Sequence, residues 1–233
     1  MTKLLSEKRA IVTGGAQGIG AGIVASLISY GAKVAIIDCQ KEKTEDTATK
    51  LNATPIVADI TNPESCTAAV YEAIEALGGL DILVNNAAPN RDPTMIGKLD
   101  ASEDWNKHSN LVIECVPRII ETAQMFMLPG SSIVNVSSVI GDKVGIEQCS
   151  WSYHVSKAGL DHLTRWLACR LGGLGIRVNA VSPALIDRDE GRKLSDCIEN
   201  KKIIEEIVPL RTVGQSDDIG QAVAFLSSHM ALY

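Results

Sequence analysis

The chain has 233 residues, 45% of them hydrophobic, and a formal net charge of −6 at pH 7. This hydrophobic content excludes a disordered chain, and the length fits one domain with a substantial buried core. The negative charge argues against nucleic acid and anionic membrane surfaces as partners, because both select basic patches. No apolar stretch approaches the length of a membrane span, so no membrane association is expected.

The six cysteines are scattered along the chain and form no C-x-x-C pair. Most of them fall in segments predicted as helix or strand, which favours buried free thiols over disulfides or a metal site. The few residues before the first predicted strand leave no room for a signal peptide. We therefore expect a cytoplasmic protein that binds no metal.

The first predicted elements are a strand, a glycine-rich turn and a helix. The strand Arg9–Thr13 leads into Gly14, Gly18 and Gly20, and residues 21–28 have helical character. Glycines allow a tight turn and a close approach of the backbone to a pyrophosphate, whose charge is met by the helix N-terminus. Although the spacing G-x-x-x-G-x-G differs from G-x-G-x-x-G, the strand, turn and helix context predicts a dinucleotide-binding turn.

The second predicted strand, Lys33–Asp38, is an apolar run that ends in an acidic residue. Asp38 follows Gly20 at close to the spacing of about 20 residues that separates such a turn from a ribose-binding carboxylate. A carboxylate there can accept hydrogen bonds from both ribose hydroxyls of NAD and repels the 2′-phosphate of NADP. No basic residue follows directly, since Cys39 and Gln40 come next, so the sequence predicts NAD rather than NADP.

The remaining elements alternate between strand and helix. Further strands are predicted at Thr54–Ala58, Leu80–Asn85, Ser132–Ser137 and Ile176–Ser182. Several of them are continuous apolar runs, as expected for a parallel sheet covered on both faces. Helices are predicted to begin at Asn62-Pro63 and at Ser216. This order predicts one α/β domain over residues 1–233, with a Rossmann-type, doubly wound parallel sheet flanked by helices.

Tyr153 and Lys157 lie four residues apart in a predicted helix, so their side chains share one face. A phenol ordinarily keeps its proton to a pKa near ~10, and a neighbouring ammonium group lowers that value. A tyrosine tuned in this way can act as a general acid and base toward an alcohol or a carbonyl. Because such pairs also occur by chance, the weight of this one comes from the motifs around it.

Six motifs in this order resemble those of the short-chain dehydrogenase/reductase family, from about Arg9 to the end of the chain. They are Thr13–Gly20 in the cofactor turn, Ala58–Ile60 after the third strand, Asn85–Ala88 after the fourth, Ile133–Ser138 on the fifth, Tyr153 with Lys157, and Arg177–Pro183 on the sixth. The resemblance implies an oxidoreductase that interconverts a small-molecule secondary alcohol and a ketone with a nicotinamide cofactor.

The resemblance also implies four catalytic residues, namely Ser138, Tyr153, Lys157 and Asn110. Tyr153 would exchange the proton of the substrate oxygen, and Ser138 would donate a hydrogen bond to that oxygen. Lys157 would lower the pKa of Tyr153 and hold the nicotinamide ribose. Asn110 would support a water-linked proton path to the lysine.

The cofactor-binding residues implied by the resemblance are Gly14, Gln17, Gly18, Ile19, Gly20, Asp38, Asp59, Ile60, Asn86, Ala87, Tyr153, Lys157 and Pro183. Gln17 stands where NADP-preferring relatives often carry Arg or Lys, which again favours NAD. The nearby Lys41 and Lys43 are interpreted as solvated surface charges.

The chain departs from the family pattern in several places. The interval from Trp105 to Asn110 is shorter than usual, and the interval from Ser138 to Tyr153 is longer, which lengthens the loop 141–150 beside the substrate. Residues 184–208 are predicted to form a substrate lid. Because the sequence stops at Tyr233, we expect the final C-terminal strand of the family to be absent.

Two other functions stay open. One is a non-catalytic NAD-binding sensor or scaffold, although Ser138, Tyr153 and Lys157 argue against it. The other is an NAD-using epimerase or dehydratase of nucleotide sugars, for which the stretch after Pro183 leaves little room. By resemblance we also expect a homo-oligomer, either a dimer or a tetramer, with Gly159–Leu171 as a candidate contact surface.

Overall fold

Six parallel strands form the central sheet of the computed structural model, which describes residues 3–89, 93–100, 102–146, 149–187, 204–206 and 208–232. The strands are β1 Arg9–Thr13, β2 Lys33–Asp38, β3 Thr54–Val57, β4 Leu80–Asn85, β5 Met127–Val136 and β6 Arg177–Val181. Their order in the sheet is β3-β2-β1-β4-β5-β6. A separate parallel ladder pairs β7 Ile186–Asp187 with β8 Gly214–Gln215.

The helices that connect the strands cover both faces of the sheet. They are α1 Gly18–Ser29, α2 Lys41–Leu51, α3 Pro63–Leu77, α4 Ser102–Ser109, α5 Val116–Gln124, α6 Trp151–Gly172 and α7 Ser216–Ser227. A π-helical turn, Asn110–Cys115, joins α4 to α5. Short 3₁₀ turns lie at Pro93–Met95, Val139–Gly141 and His229–Ala231.

The predicted doubly wound parallel sheet is confirmed. The bounds of β1, β2 and β4 match the sequence prediction, whereas β5 begins earlier than the predicted Ser132 because Met127 already pairs with Leu80. A register shift between Leu80 and Ile82 separates this early pair from the rest of the ladder. Asn62 caps α3 as predicted, since its side chain accepts a hydrogen bond from Ser65 N–H.

Alternate residues of the central strand β1 enter two different cores. Ile11 of β1 packs into a core beneath α3, α5 and α6, and its neighbour Val12 packs into one beneath α1 and α7. The strand order reverses between β1 and β4, which opens a crevice at the carboxyl ends of these two strands. The cofactor turn, Asn85 and the strand preceding Ser138 all end at this edge.

Helix α1, which follows the cofactor turn, packs closely against α7. A Cβ on Gly22 would lie 2.6 Å from Ser216 Cβ, and a Cβ on Gly220 would lie 2.1 Å from Ser26 Oγ. Ser26 also donates a hydrogen bond to Asp217, at 2.9 Å. The close approach of the two helices therefore depends on these glycines, and it fixes the helix whose N-terminus borders the crevice.

Most of the predicted lid, 184–208, lies outside the described residues, as does Cys197. Within the described ranges, β6 forms one edge of the sheet and β3 forms the other. None of the helices described here combines the length and apolar character needed to cross a membrane.

Candidate active site

The glycine turn between β1 and α1 has the shape of a phosphate cradle. Gly14 and Gly18 adopt positive φ angles of 64° and 56°, which favour glycine. The first helical hydrogen bond runs from Ala21 N–H to Gln17 O, so the N–H groups of residues 18–20 precede it. Such N–H groups at a helix start have no intrahelical acceptor and can receive an anion. The turn therefore fits the pyrophosphate of a dinucleotide.

Gly20 tolerates no side chain, because a Cβ there would lie 2.0 Å from the Gly14 carbonyl oxygen. We expect Gly20→Ala to displace the turn, to lower the free energy of unfolding by about 3 kcal/mol and to abolish dinucleotide binding. Gly172→Ala is the control, since its Cβ would meet no atom within 4 Å. Thermal unfolding and cofactor titration of both variants measure the difference, and a Gly20→Ala protein that binds cofactor normally would contradict this reading.

The start of the loop after β4 holds the glycine turn in place. Asn86 donates through Nδ2 to Thr13 O at 3.1 Å and to Gly14 O at 2.8 Å. The backbone N–H groups of Asn86 and Ala87 both donate to Thr13 Oγ1, at 3.1 and 3.2 Å. Asn86 and Ala87 thus support the turn, while direct cofactor contacts from them stay a prediction. The sequence analysis placed Thr13 in the cofactor-turn motif but did not predict that its hydroxyl accepts these two hydrogen bonds.

Asp38 is buried at the end of β2, beside the glycine turn. Its two carboxylate oxygens accept hydrogen bonds from Ala16 N–H at 3.2 Å and from Gln40 N–H at 3.1 Å. The carboxylate is therefore fixed where a ribose would approach the turn. Lys43, interpreted above as a solvated charge, instead donates a hydrogen bond to Gln17 Oε1. A cation thus borders the turn as well.

The other predicted cofactor residues follow their strands. Asp59 is exposed after β3, and its Oδ1 accepts hydrogen bonds from the backbone N–H and the hydroxyl of Thr61, at 2.9 and 2.7 Å. Ile60 is buried and packs into the core. Pro183 is buried after β6, and its carbonyl oxygen accepts a hydrogen bond from Val139 N–H at 3.1 Å.

Tyr153 and Lys157 share one face of α6, as their spacing predicts. Lys157 Nζ lies 5.8 Å from the centroid of the Tyr153 ring and donates a hydrogen bond to Val136 O at 2.8 Å. The side chain of Lys157 is buried, with 6% of the residue exposed. Burial lowers the pKa of this ammonium to about 8, and the nearby Asp161 partly opposes that shift. The Lys157 ammonium, whose pKa is lowered, thus lies beside the Tyr153 phenol.

Ser138 lies two residues after the end of β5 and caps the 3₁₀ turn Val139–Gly141. Its Oγ accepts from Ile140 N–H at 3.4 Å and donates to Pro183 O at 3.5 Å. Gly141 at the end of this turn packs on α6, because a Cβ there would lie 3.0 Å from the Lys157 carbonyl carbon. The turn therefore brings the segment carrying Ser138 against the segment of α6 that carries Lys157.

Asn110 begins the π-helical turn between α4 and α5. Its side-chain oxygen accepts a hydrogen bond from the Cys115 thiol at 3.2 Å. Burial raises the pKa of that thiol to about 11, so Cys115 stays protonated and can donate. The predicted proton path through Asn110 is not tested by these contacts and stays a prediction.

Two sets of polar contacts near Tyr153 were not predicted from the sequence. In the first, Asp104 on α4 accepts hydrogen bonds from Ser150 and Ser152 at the start of α6. In the second, His154 accepts from Gly145 N–H at 3.0 Å and contacts Ser150 O at 2.8 Å, which ties down the lengthened loop 141–150. The helical spacing of Asp104 and His108 could have indicated the first set from the sequence. The second set could be recognised only once the path of the loop 141–150 was known.

A family model described as Enoyl-(Acyl carrier protein) reductase matches residues 14–233 of this chain. The chain belongs to the short-chain dehydrogenase/reductase family. The 3-oxoacyl-(acyl-carrier-protein) reductase FabG of Staphylococcus aureus is 34% identical over 234 residues, which cover 97% of this chain and 93% of that protein.

Two solved structures resemble this short-chain dehydrogenase/reductase along nearly its whole length. A short chain dehydrogenase from Burkholderia cenocepacia in complex with NADP is 31% identical, with a TM-score of 0.88 and coverage of 98% of this chain and 94% of that one. A blue fluorescent protein from a metagenomic library in complex with NADPH is 32% identical, with a TM-score of 0.88 and coverage of 99% and 94%. The chain is an oxidoreductase with a nicotinamide-dinucleotide site.

Proposed function

We propose that this short-chain dehydrogenase/reductase interconverts a small-molecule secondary alcohol and the corresponding ketone. The observation that carries the proposal is the buried Lys157 ammonium, 5.8 Å from the ring centroid of the half-buried Tyr153. A buried cation beside a phenol favours the phenolate, which is the form that accepts a proton from an alcohol. Neither a sensor nor a scaffold has use for such a pair.

The residues of the chain would divide the reaction as follows. Tyr153 accepts the proton of the substrate hydroxyl during oxidation and returns a proton to the carbonyl oxygen during reduction. Ser138 donates a hydrogen bond to the same oxygen, and Lys157 keeps the pKa of Tyr153 low. The nicotinamide cofactor, when bound, supplies the hydride chemistry.

The relatives narrow the candidate substrates. The name of the Staphylococcus aureus relative describes reduction of a 3-oxoacyl group, whose ketone lies one methylene carbon away from the acyl carbonyl. That reaction falls within the proposed class, so short 3-oxoacyl thioesters belong in a substrate screen together with simple ketones.

Product analysis distinguishes this function from that of an epimerase or dehydratase. Such an enzyme would regenerate its NAD within each catalytic cycle and would yield no net NADH.

For the cofactor we propose NAD, on the strength of Asp38. Its fixed carboxylate suits two ribose hydroxyls and opposes a 2′-phosphate. Two observations favour NADP instead: the solved relatives named above hold NADP or NADPH, and Lys43 places a cation beside Gln17. Asp38 outweighs Lys43 because the carboxylate is buried and hydrogen-bonded, whereas Lys43 is exposed.

Calorimetric titration of the protein with NADH and NADPH tests this choice. We expect NADH to bind at least about 10-fold more tightly, because hydrogen bonds to a charged group contribute about 1.5–3 kcal/mol. Asp38→Asn keeps an acceptor for Ala16 N–H but removes the charge. It should therefore weaken the binding of NADH and strengthen the binding of NADPH. Lys43→Gln should leave NADH binding unchanged. Tighter NADPH binding that is lost in Lys43→Gln would reverse the proposed preference.

We also propose a homo-oligomer. Trp166 on the outer face of α6 is 56% exposed, and the apolar side chain of Val155 on the same helix is exposed as well. Exposed aromatic and aliphatic groups on one helix suit a contact between copies of the chain. Sedimentation of the wild type and of Trp166→Glu measures the oligomeric state, and a monomeric wild type would rule out the proposed homo-oligomer.

A further inference from the structure

A buried polar cluster joins α4 to the start of α6, the helix that carries Tyr153. Its members are Asp104 and His108 on α4, and Ser150 and Ser152 at the beginning of α6, and all four are buried. Ser150 Oγ donates to Asp104 Oδ2 at 2.6 Å, and Ser152 donates to the same oxygen. The Asp104 carboxylate therefore ties α4 to the turn of α6 that immediately precedes Tyr153.

His108 extends this cluster to the Tyr153 ring itself. Its Nε2 lies 3.5 Å from the other carboxylate oxygen of Asp104, one helical turn earlier. On its other side, the imidazole meets the Tyr153 ring with centroids 5.4 Å apart and planes at 72°. This edge-to-face geometry is the favoured contact of two aromatic rings and restricts their relative orientation. Since His108 is only 2% exposed, solvent does not compete for this contact.

Building on the proposed function, we propose that Asp104 and His108 are positioning residues that fix the phenol of Tyr153 for proton exchange with the substrate. A general acid or base has to lie within hydrogen-bond reach of the oxygen that it serves. Lys157 acts on the same ring from within α6, and stacking of Trp105 on Trp151 reinforces the contact between the two helices. His108 thereby supports the reaction without touching the substrate.

Substitution of His108 separates positioning from mere folding. We expect His108→Ala to lower kcat about 10- to 100-fold, because a misplacement of about 1 Å has an effect of that order. The KM for the cofactor should change by less than about 2-fold, since the cofactor turn lies on other elements. His108→Phe, which keeps a ring against Tyr153, should recover part of the lost kcat. His108→Gln, which keeps a donor for Asp104 but no ring, should not. His229→Ala, at an exposed position of the 3₁₀ turn His229–Ala231, is the matched control.

Asp104→Asn tests whether the pair acts as a unit. If Asp104 acts through His108, the double variant Asp104→Asn with His108→Ala should lose no more kcat than His108→Ala alone. A kcat of His108→Ala within about 3-fold of the wild type would overturn the proposal, since positioning residues have larger effects. An effect confined to KM would overturn it equally.

A second readout does not depend on turnover. In protein labelled with carbon-13 at the tyrosine ζ position, the Tyr153 resonance is the one that Tyr153→Phe removes. We expect this resonance to shift and broaden in His108→Ala and to stay in place in His229→Ala, and an unchanged resonance in His108→Ala would overturn the proposal. If the wild type turns over no alcohol or ketone, the proposed function fails, and this resonance alone decides the role of His108. If His108→Ala does not fold, His108→Gln takes its place.

Discussion

Tyr153→Phe is expected to lower kcat by about 1,000-fold in both directions, because a positioned general acid or base contributes roughly 100- to 10,000-fold. The substitution removes one oxygen atom and leaves the ring that packs against His108. We therefore expect the affinity for NADH and the thermal unfolding midpoint to stay close to those of the wild type. Steady-state kinetics with a ketone and NADH, together with calorimetry, measure all three.

Tyr71→Phe serves as the control for this substitution. Tyr71 is an exposed tyrosine on α3, where its ring contacts Phe126 edge-to-face. Removal of its hydroxyl should leave kcat unchanged. If Tyr153→Phe retained more than about a tenth of wild-type kcat, Tyr153 would not be the acid and base, since that loss lies below the range for such groups. Ser138 or another donor would then have to hold the proton.

The strands could be predicted because several of the apolar runs are continuous, and two of them end in a polar residue. Asp38 and Asn85, the last residues of β2 and β4, mark the carboxyl edge of the sheet, so the position of the candidate site could be proposed from the pattern. The shared helix face of Tyr153 and Lys157 followed from their spacing, since positions four residues apart are neighbours on any helix. These inferences needed only local geometry.

The side-chain hydrogen bonds that support the candidate site could not be predicted, because they join residues far apart in the chain. Asp104 meets Ser150 and Ser152 only once α4 has packed on α6, and no periodicity encodes that contact. The same holds for the buried amides of Asn85 and Asn135, which pair across β4 and β5 at 2.9 Å. The shortened interval before Asn110 was visible in the sequence, but the π-helical turn that begins at this residue was not predicted.

The largest trade-off between stability and function is expected at Lys157. Because burial lowers its pKa from 10.5 to about 8, the unfolded chain binds more protons than the folded chain between these values. The free energy of unfolding therefore rises with pH across this window, and below about pH 8 the charged lysine destabilises the fold by about 3 kcal/mol.

Lys157→Met should remove this destabilisation together with catalysis. We expect a gain of about 2 kcal/mol in the free energy of unfolding at pH 7, since loss of the hydrogen bond to Val136 O offsets about 1 kcal/mol. The gain should shrink as pH rises from 8 to 10.5. Lys33→Met, at an exposed position of β2, is the control. At the same time kcat should fall about 100-fold or more. Urea unfolding at several pH values measures the first effect. A variant less stable than the wild type at pH 7 would mean that the ammonium is compensated within the fold, and that Lys157 is retained there for stability rather than for its action on Tyr153.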